Sequence, residues 1–189
     1  MPEIIVSILI GAGLSAAAGF RVFVPFLVMS IAARSGHLPL SHDFTWIASM
    51  PALIAFASAT VLEIGAYYIP WLDHALDTIA TPSAVLAGVL VTAAVVTDLS
   101  PVLRWGVAII AGAGMAGTVQ SATVLARLKS TVTTGGIANP VVATGETAGS
   151  VTTSVLAVAL PVIAFIIILV LLTLLFMTAR RMGRARLNR

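Results

Sequence analysis

The sequence predicts an all-α, polytopic membrane protein, a bundle of about five transmembrane helices. Of its 189 residues, 59% are hydrophobic and 9% are charged, whereas a soluble domain carries about 25% charged residues because its surface faces water. The mean hydropathy is +1.10. Several apolar stretches reach about 20 residues, the length that a helix needs to cross a hydrocarbon core of about 30 Å. We therefore expect one transmembrane domain, residues 1–179, followed by a basic tail, residues 180–189.

The first apolar segment, residues 4–34, is too long for one straight crossing, and its centre contains Gly19, Arg21 and Pro25. Proline inside a helix removes a backbone hydrogen bond and clashes with the preceding turn. The segment is therefore expected to be either one long helix kinked near Pro25 or two half-helices that meet near Gly19. Only Glu3 precedes it, without the basic region of a cleavable signal peptide, so no such peptide is predicted.

Two further helices are predicted after a polar stretch at residues 35–45. The second transmembrane helix is expected over residues 46–69, with aromatic residues at its ends, where amphipathic rings favour the headgroup level. A short amphipathic helix over residues 71–79 should then lie in the membrane interface, with Asp73 and Asp77 on its polar face. These carboxylates could ligate a cation, but such a face is more typical of a solvated surface, so no metal site is predicted.

The third and fourth helices are predicted over residues 83–96 and 102–125, with Asp98 at the boundary between them. The first and fourth helices each contain a Gly-Ala-Gly sequence, at residues 11–13 and 112–114. Small residues let helix backbones approach closely in a membrane, where lipid leaves no hydrophobic force between helices. We interpret both sequences as packing sites, and the alternative is a diverged internal repeat.

A loop rich in threonine and glycine, residues 129–150, separates the fourth helix from a fifth at residues 151–177. The loop contains a Gly-Gly pair and an Asn-Pro pair, both typical of turns, the second beginning at Asn139 and followed by Glu146. The Gly-Gly turn is not followed by the lysine that a phosphate-binding loop has at this point. Because part of the loop is apolar, we expect it to be ordered or re-entrant, packed on the helices and partly within the membrane.

Basic residues are concentrated at residues 180–189, directly after the last apolar helix. Such a cluster is typical of a cytoplasmic flank under the positive-inside rule, and it would also contact anionic lipid. With five crossings, Arg34 and Arg104 fall in inner loops and Arg127 and Lys129 in outer ones. We therefore expect an integral, multi-pass protein of the cell membrane with a cytoplasmic C-terminus. Membrane lipid is its expected partner, and nucleic acid is not, in spite of a pI near 10.2.

Arg21 and Glu63 are the charged residues expected deepest within apolar helices. A charge at that depth costs at least about 2.5–3.5 kcal/mol, so it must face a partner, a cavity or a pathway. We expect the two residues to be neighbours that form an ion pair, either as a structural contact or within a solute or proton site. Asp98, Asn139 and Glu146 are further candidates for a polar path, although Asp98 and Glu146 would also suit helix capping or a solvated loop.

The polar motifs together resemble a family of small, uncharacterised bacterial integral membrane proteins known only as a domain of unknown function. The motifs are Glu63-x5-Ile69-Pro70-x2-Asp73-x3-Asp77, Asp98-x2-Pro101 and Gly135-Gly136-x2-Asn139-Pro140, the last followed by Glu146. The similarity covers nearly the whole chain to about residue 177, and it implies a helical membrane fold in which these motifs matter together. Tyr68 departs from the lysine that often precedes Ile-Pro in this family.

Two classes of function remain open. One is a small transporter or channel for a small solute or ion, with a polar site near Arg21 and Glu63, because transporters build sites from discontinuous helices. The other is a non-transporting scaffold or accessory subunit that binds lipid or partner helices. A polar cavity that reaches Glu63 would favour the first class, and a flat surface of small residues the second. No nucleophile–base arrangement is visible and cysteine is absent, so neither an enzyme nor a cofactor is predicted. Five short helices enclose little volume, which favours a homo-oligomer.

Overall fold

The computed structural model describes the backbone of residues 2–187, and the side chains of that range except residues 2, 70–75, 77, 78, 175, 176 and 178–187. The described backbone forms eight α-helices and no strand, which confirms the all-α class. The helices are α1 (Pro2–Ala18), α2 (Phe23–Arg34), α3 (Met50–Ala66), α4 (Pro70–Val95), α5 (Pro101–Val107), α6 (Gly114–Thr134), α7 (Asn139–Ala159) and α8 (Pro161–Leu187). A 3-10 helix, His42–Ala48, precedes α3, and a π-helical segment, Ala108–Ala113, joins α5 to α6.

Helix length and apolarity agree only in part with a five-helix transmembrane bundle. Among the described residues, the continuous helix Pro101–Thr134 is long and apolar enough to cross a membrane. The pair His42–Ala48 and Met50–Ala66 would provide a second crossing, although the chain bends by 69° between them. The apolar stretches of described residues in the other helices, Glu3–Ala18, Phe23–Arg34, Ile79–Val95 and Pro161–Leu174, fall short of this length. The predicted number of crossings is therefore not confirmed.

Proline has opposite effects at two positions. Pro82 lies inside α4, so the predicted interfacial helix and the predicted third helix are in fact one continuous helix. Proline is tolerated in such a helix where neighbouring groups satisfy the backbone carbonyl that it leaves without a donor. By contrast, Pro161 divides the predicted fifth helix into α7 and α8, because Leu160 leaves the helical region with φ −142° and ψ 64°. The residue before a proline is sterically biased in that direction.

The predicted loop at residues 129–150 is mostly helical. α6 continues into it and ends at Gly135, whose φ of 63° is left-handed and therefore favours glycine. α7 begins directly after this turn, at Asn139. The expectation that the loop is ordered and packed on the helices is confirmed, since Asn139 and Glu146 are both buried. Its entry into the membrane stays a prediction.

α1 lies at the centre of the fold. It packs against α4, α6, α7 and α8, and every residue from 11 to 19 is buried. Small side chains allow this, because a Cβ on Gly13 would lie 2.6 Å from that of Ala157 on α7. At the crossing of α4 with the π-helical segment, a Cβ on Gly112 would lie 2.4 Å from the carbonyl oxygen of Gly88. The interpretation of both Gly-Ala-Gly sequences as packing sites is thus confirmed.

The first apolar segment is broken into two helices, which is the second of the two predicted alternatives. α1 ends at Ala18 and α2 begins at Phe23. Pro25 lies in the first turn of α2, where a missing N–H removes no hydrogen bond within the helix. With 12 residues and a rise of about 1.5 Å per residue, α2 is about 18 Å long, too short to cross a hydrocarbon core of about 30 Å.

α6 and α7 bury several polar side chains and expose large apolar ones, which lie among exposed serine and threonine residues. The buried polar residues of α6 are Gln120, Thr123, Arg127 and Ser130, and those of α7 are Asn139, Glu146, Ser150 and Ser154. The exposed apolar residues include Val124, Leu125, Leu128 and Val132 on α6, and Val141, Val151 and Val155 on α7. Burial of Arg127 and Glu146 beside exposed large apolar side chains differs from the usual distribution in soluble proteins, where charged residues are mostly exposed.

Candidate functional site

Arg21 lies in the break between α1 and α2, and its side chain is only 1% exposed. The break places this side chain in the interior because α1, the central helix, ends there. Its Nε donates a hydrogen bond to Oγ1 of Thr147 at 3.1 Å, and its Nη2 donates to the carbonyl oxygen of Ala143 at 2.9 Å. The same Nη2 lies 3.3 Å from Oε2 of Glu146. One guanidinium thus connects the break to three residues of α7.

Glu146 also binds Arg127, which extends from α6. Nε of Arg127 donates to Oε1 of Glu146 at 2.9 Å, and its Nη2 donates to Oε2. This two-point geometry matches the planar fork of a guanidinium to the two oxygens of a carboxylate. Arg127 is 5% exposed and Glu146 is 6% exposed. One buried carboxylate therefore holds two buried guanidiniums, and its Oε2 is shared between them.

Tyr67, at the end of α3, lies against both guanidiniums. The centroid of its ring is 3.9 Å from the guanidinium carbon of Arg21 and 4.1 Å from that of Arg127. The negative face of an aromatic ring attracts a cation placed over it. The next residue, Tyr68, is exposed, and its hydroxyl shares a 2.8 Å hydrogen bond with that of Thr144 on α7. The chain after α3 is thus held to α7 next to the arginines.

Glu63 of α3 caps the N-terminus of α2. Its Oε1 accepts a hydrogen bond from the N–H of Val22 at 2.7 Å, and its Oε2 accepts one from the N–H of Phe23 at 3.0 Å. N–H groups at the start of a helix have no acceptor within the helix, and the positive end of the helix dipole favours a carboxylate. The helix break therefore leaves N–H groups at the start of α2 that need acceptors, and the carboxylate of Glu63 supplies them.

The prediction that Arg21 and Glu63 form an ion pair is wrong. Among the described residues, the carboxylate within ion-pair distance of Arg21 is that of Glu146. Both predicted residues still belong to one site, because the N–H groups that Glu63 binds directly follow Arg21 in the chain. The carboxylate that the sequence suggests for the arginine instead serves the backbone, and the arginine is paired from a helix far along the chain.

The other candidates from the sequence lie in different surroundings. Asn139 is buried at the start of α7, where its side-chain amide hydrogen-bonds to Thr131 of α6 at 3.3 Å. Asp98 is exposed between α4 and α5 and accepts a hydrogen bond from the hydroxyl of Thr97. It lies at a helix boundary as expected, but its described polar contact does not involve the arginines. Asp73 and Asp77 lie on α4, and their side chains are outside the described residues, as are those of the basic tail.

Arg127 is a site residue that the predicted elements misplace. The predicted fourth helix ends at residue 125, which puts Arg127 in an outer loop, whereas α6 continues to Thr134. A usable signal was present in the sequence: Gln120, Thr123 and Arg127 recur at helical spacing and form one polar face that continues past residue 125. Tyr67 is also missed, because an aromatic residue at a helix end is more typical of the headgroup level.

Two open grooves lie beside the site, and both are apolar. The first, of about 460 Å³, lies among α1, α6, α7 and α8 and includes Phe20 and Gly149 in its lining. The second, of about 280 Å³, includes Val22 and Phe23 in its lining. Neither groove is lined by Glu63 or by the arginines. Among the described side chains, no group of three or more histidine and acidic residues is placed to hold a metal ion.

Comparison with protein families identifies the chain. It matches the family described as a domain of unknown function, DUF4126, over residues 8–181, and it belongs to that family. The resemblance inferred from the sequence motifs is therefore confirmed at the level of the family. Searches of curated proteins and of solved structures give no significant match.

Proposed function

We propose that this member of the DUF4126 family is a small multi-pass membrane transporter or channel for a small solute or ion, with its polar site at the break between α1 and α2. One observation carries the proposal: four charged side chains, those of Arg21, Glu63, Arg127 and Glu146, converge on a broken helix at the centre of the fold. Arg21 comes from the break itself, and Glu63, Arg127 and Glu146 come from α3, α6 and α7.

The distribution of polarity supports a location within the membrane. α6 and α7 bury the charged residues Arg127 and Glu146 and expose several large apolar side chains, an arrangement that suits a lipid surrounding. The side chains of Val162, Ile163, Ile166 and Val170 on α8 are also each about half exposed. We expect several crossings of the cell membrane, with the basic residues 180–189 on the cytoplasmic side under the positive-inside rule.

The broken helix is the feature that favours transport over a purely structural role. Transporters form solute sites at discontinuous helices, where a helix N-terminus and freed backbone groups are available, and such breaks occur at membrane depth only under a covering of protein or around a cavity. Four charges are not needed for packing alone, because a buried ion pair can often be replaced by apolar residues at little cost in stability. Their presence is therefore better explained by a role in binding or translocation.

This arrangement of side chains corresponds to a closed state of the proposed site. Glu146 binds both arginines, Tyr67 lies against them, and Glu63 binds the backbone at the start of α2. The exposed hydrogen bond between Tyr68 and Thr144 holds the end of α3 to α7. We propose that a solute enters when this contact opens and the end of α3 moves away from α7.

A specific observation also favours the second function class. The two open grooves are apolar, as expected of surfaces that hold lipid chains or partner helices in a scaffold or accessory subunit. The two functions differ in one respect that can be measured: a transport site must become accessible to water from each side of the membrane in turn.

The absence of cysteine from the chain makes this accessibility directly testable. In reconstituted vesicles, Thr147→Cys places a thiol beside Arg21, and Ser154→Cys places one further along α7, at a side chain with 0% exposure. We expect a small, charged, membrane-impermeant thiosulfonate to modify the cysteine at 147, but not the one at 154, from both sides of the membrane. Modification of neither cysteine, in protein that is folded by gel filtration, would reject transport and leave the scaffold role.

A further inference from the structure

We propose that Arg21 and Arg127 together form a binding site for a phosphate group, and that the carboxylate of Glu146 occupies this site in the closed state. The inference rests on the proposed function, because it assigns the class of solute to the same polar site. The inference predicts that the solute is an anion, and that this anion displaces the carboxylate of Glu146 from the two arginines.

The oxygen atoms of Glu146 do not serve the two arginines equally. Arg127 takes both oxygens in a two-point contact, whereas Arg21 stands 3.3 Å from the shared Oε2. A charge-assisted N–H···O contact is normally about 2.7–2.9 Å long. One carboxylate is therefore too small to give each guanidinium its own pair of oxygens. A terminal phosphate group, as in a phosphate monoester, presents more anionic oxygens than a carboxylate and can accept two parallel bonds from each guanidinium fork, the geometry for which arginine is preferred over lysine.

The charges of the site also suit the exchange of one anion for another. Two guanidiniums meet at Oε2 of Glu146, so they lie close enough to repel each other. A second described carboxylate, that of Glu63, is engaged by the backbone N–H groups that begin α2. A phosphate group bound between the arginines would reduce their repulsion and would leave the helix cap in place.

Two sources could supply the phosphate group: a soluble phosphate compound or the headgroup of a lipid. The first apolar groove makes the lipid a concrete alternative, because its lining includes Phe20, which directly precedes Arg21 in the chain. The groove continues along α8 to Leu172. An acyl chain in this groove would place a headgroup near the arginines once the Phe20 side chain moved.

The test compares Glu146→Gln with the unchanged protein, because removal of an internal competitor should raise the affinity for an external anion. The purified full-length protein in a neutral detergent is titrated with inorganic phosphate, with phosphatidic acid or with uncharged diacylglycerol at constant ionic strength. The rise of the unfolding temperature reports binding. In Glu146→Gln, we expect half of the maximal rise at a concentration about tenfold lower or less, a gain equivalent to about 1.4 kcal/mol.

A matched control is available elsewhere in the chain. Arg104 is also buried, and its Nη2 binds a carboxylate, that of Asp43. Asp43→Asn therefore deprives one buried arginine of its partner without creating a pair of guanidiniums, and it should gain no affinity. If Glu146→Gln does not fold, Glu146→Asp keeps the charge, withdraws it from the arginines by one methylene and should show a smaller gain in the same direction.

The outcomes separate the two sources and the two proposals. A gain for inorganic phosphate supports a soluble phosphate compound, and a gain for phosphatidic acid alone supports a lipid headgroup. No gain in folded Glu146→Gln or Glu146→Asp, or an equal gain in Asp43→Asn, would overturn the anion site. If the cysteine at 147 is nevertheless modified from both sides, the transport proposal stands without it. If affinity is gained and that cysteine is never modified, the site binds anions but does not translocate them.

Discussion

Removal of the Glu146 carboxylate should destabilise the protein more than removal of the charge of Arg21 or of Glu63. Glu146→Gln preserves the shape of the side chain but takes the shared counter-charge from two guanidiniums that are 1% and 5% exposed. Loss of one partner from a buried ion pair costs about 3–5 kcal/mol. Because one substitution here affects two arginines, we expect a loss of about 4–5 kcal/mol, in the upper part of that range.

The other two single substitutions should cost less, for reasons visible in the contacts. Arg21→Met leaves the two-point pair between Arg127 and Glu146 intact, so we expect a loss of about 2–3 kcal/mol from the missing charged hydrogen bonds. Glu63→Gln keeps one acceptor oxygen for the N-terminus of α2, and loss of a helix cap typically costs about 0.5–2 kcal/mol. The predicted order of destabilisation is therefore Glu146→Gln, then Arg21→Met, then Glu63→Gln.

The free energy of unfolding can be measured by titration with sodium dodecyl sulfate in mixed micelles, followed by tryptophan fluorescence. Lys129→Gln, at an exposed position on α6 before its last turn, is the control and should leave the transition unchanged. The reasoning would be refuted if Glu146→Gln cost less than Glu63→Gln. It would also be refuted if Arg21→Met cost as much as Glu146→Gln, since the pair between Arg127 and Glu146 would then not be the stable unit of the site.

Three further predictions concern packing, opening and topology. Gly112→Ala should lower the unfolding midpoint, because its Cβ would lie 2.4 Å from a carbonyl oxygen of α4. Gly114→Ala, two residues further on and facing open space, should not lower it. Equal midpoints for the two variants would show that α4 can shift away at no cost. Tyr68→Phe removes the hydrogen bond to α7 and should speed thiosulfonate labelling of a cysteine at residue 147 several-fold; an unchanged rate would exclude this contact from the opening step. Single cysteines in the turn at residues 135–138 and in the tail at residues 180–189 should react with an impermeant reagent from opposite sides of the membrane, and reaction of both from one side would contradict the proposed orientation.

Local patterns in the sequence determined several features of the fold. The all-α class follows from composition and from long apolar stretches. Glycine and proline within one apolar segment indicate a kink near Pro25 or a break near Gly19, and the turn at Gly135 follows from a backbone conformation that glycine adopts most easily. Residues adjacent in the chain control each of these features, so the sequence shows them directly. The extent of α6 and α7 was missed, because polar residues that face a protein interior resemble a loop when the interior is not known.

The partners of the charged residues were decided by the tertiary structure alone. Arg21 and Glu63 are the deepest charges by sequence, yet Arg21 pairs with Glu146, and Glu63 binds the backbone at the start of α2. The sequence shows which charges need a partner but not which groups lie within reach, since that depends on how α3, α6 and α7 pack around α1. Once the helix break presents N–H groups without acceptors, the nearest carboxylate satisfies them, and the arginine is left to a carboxylate from α7.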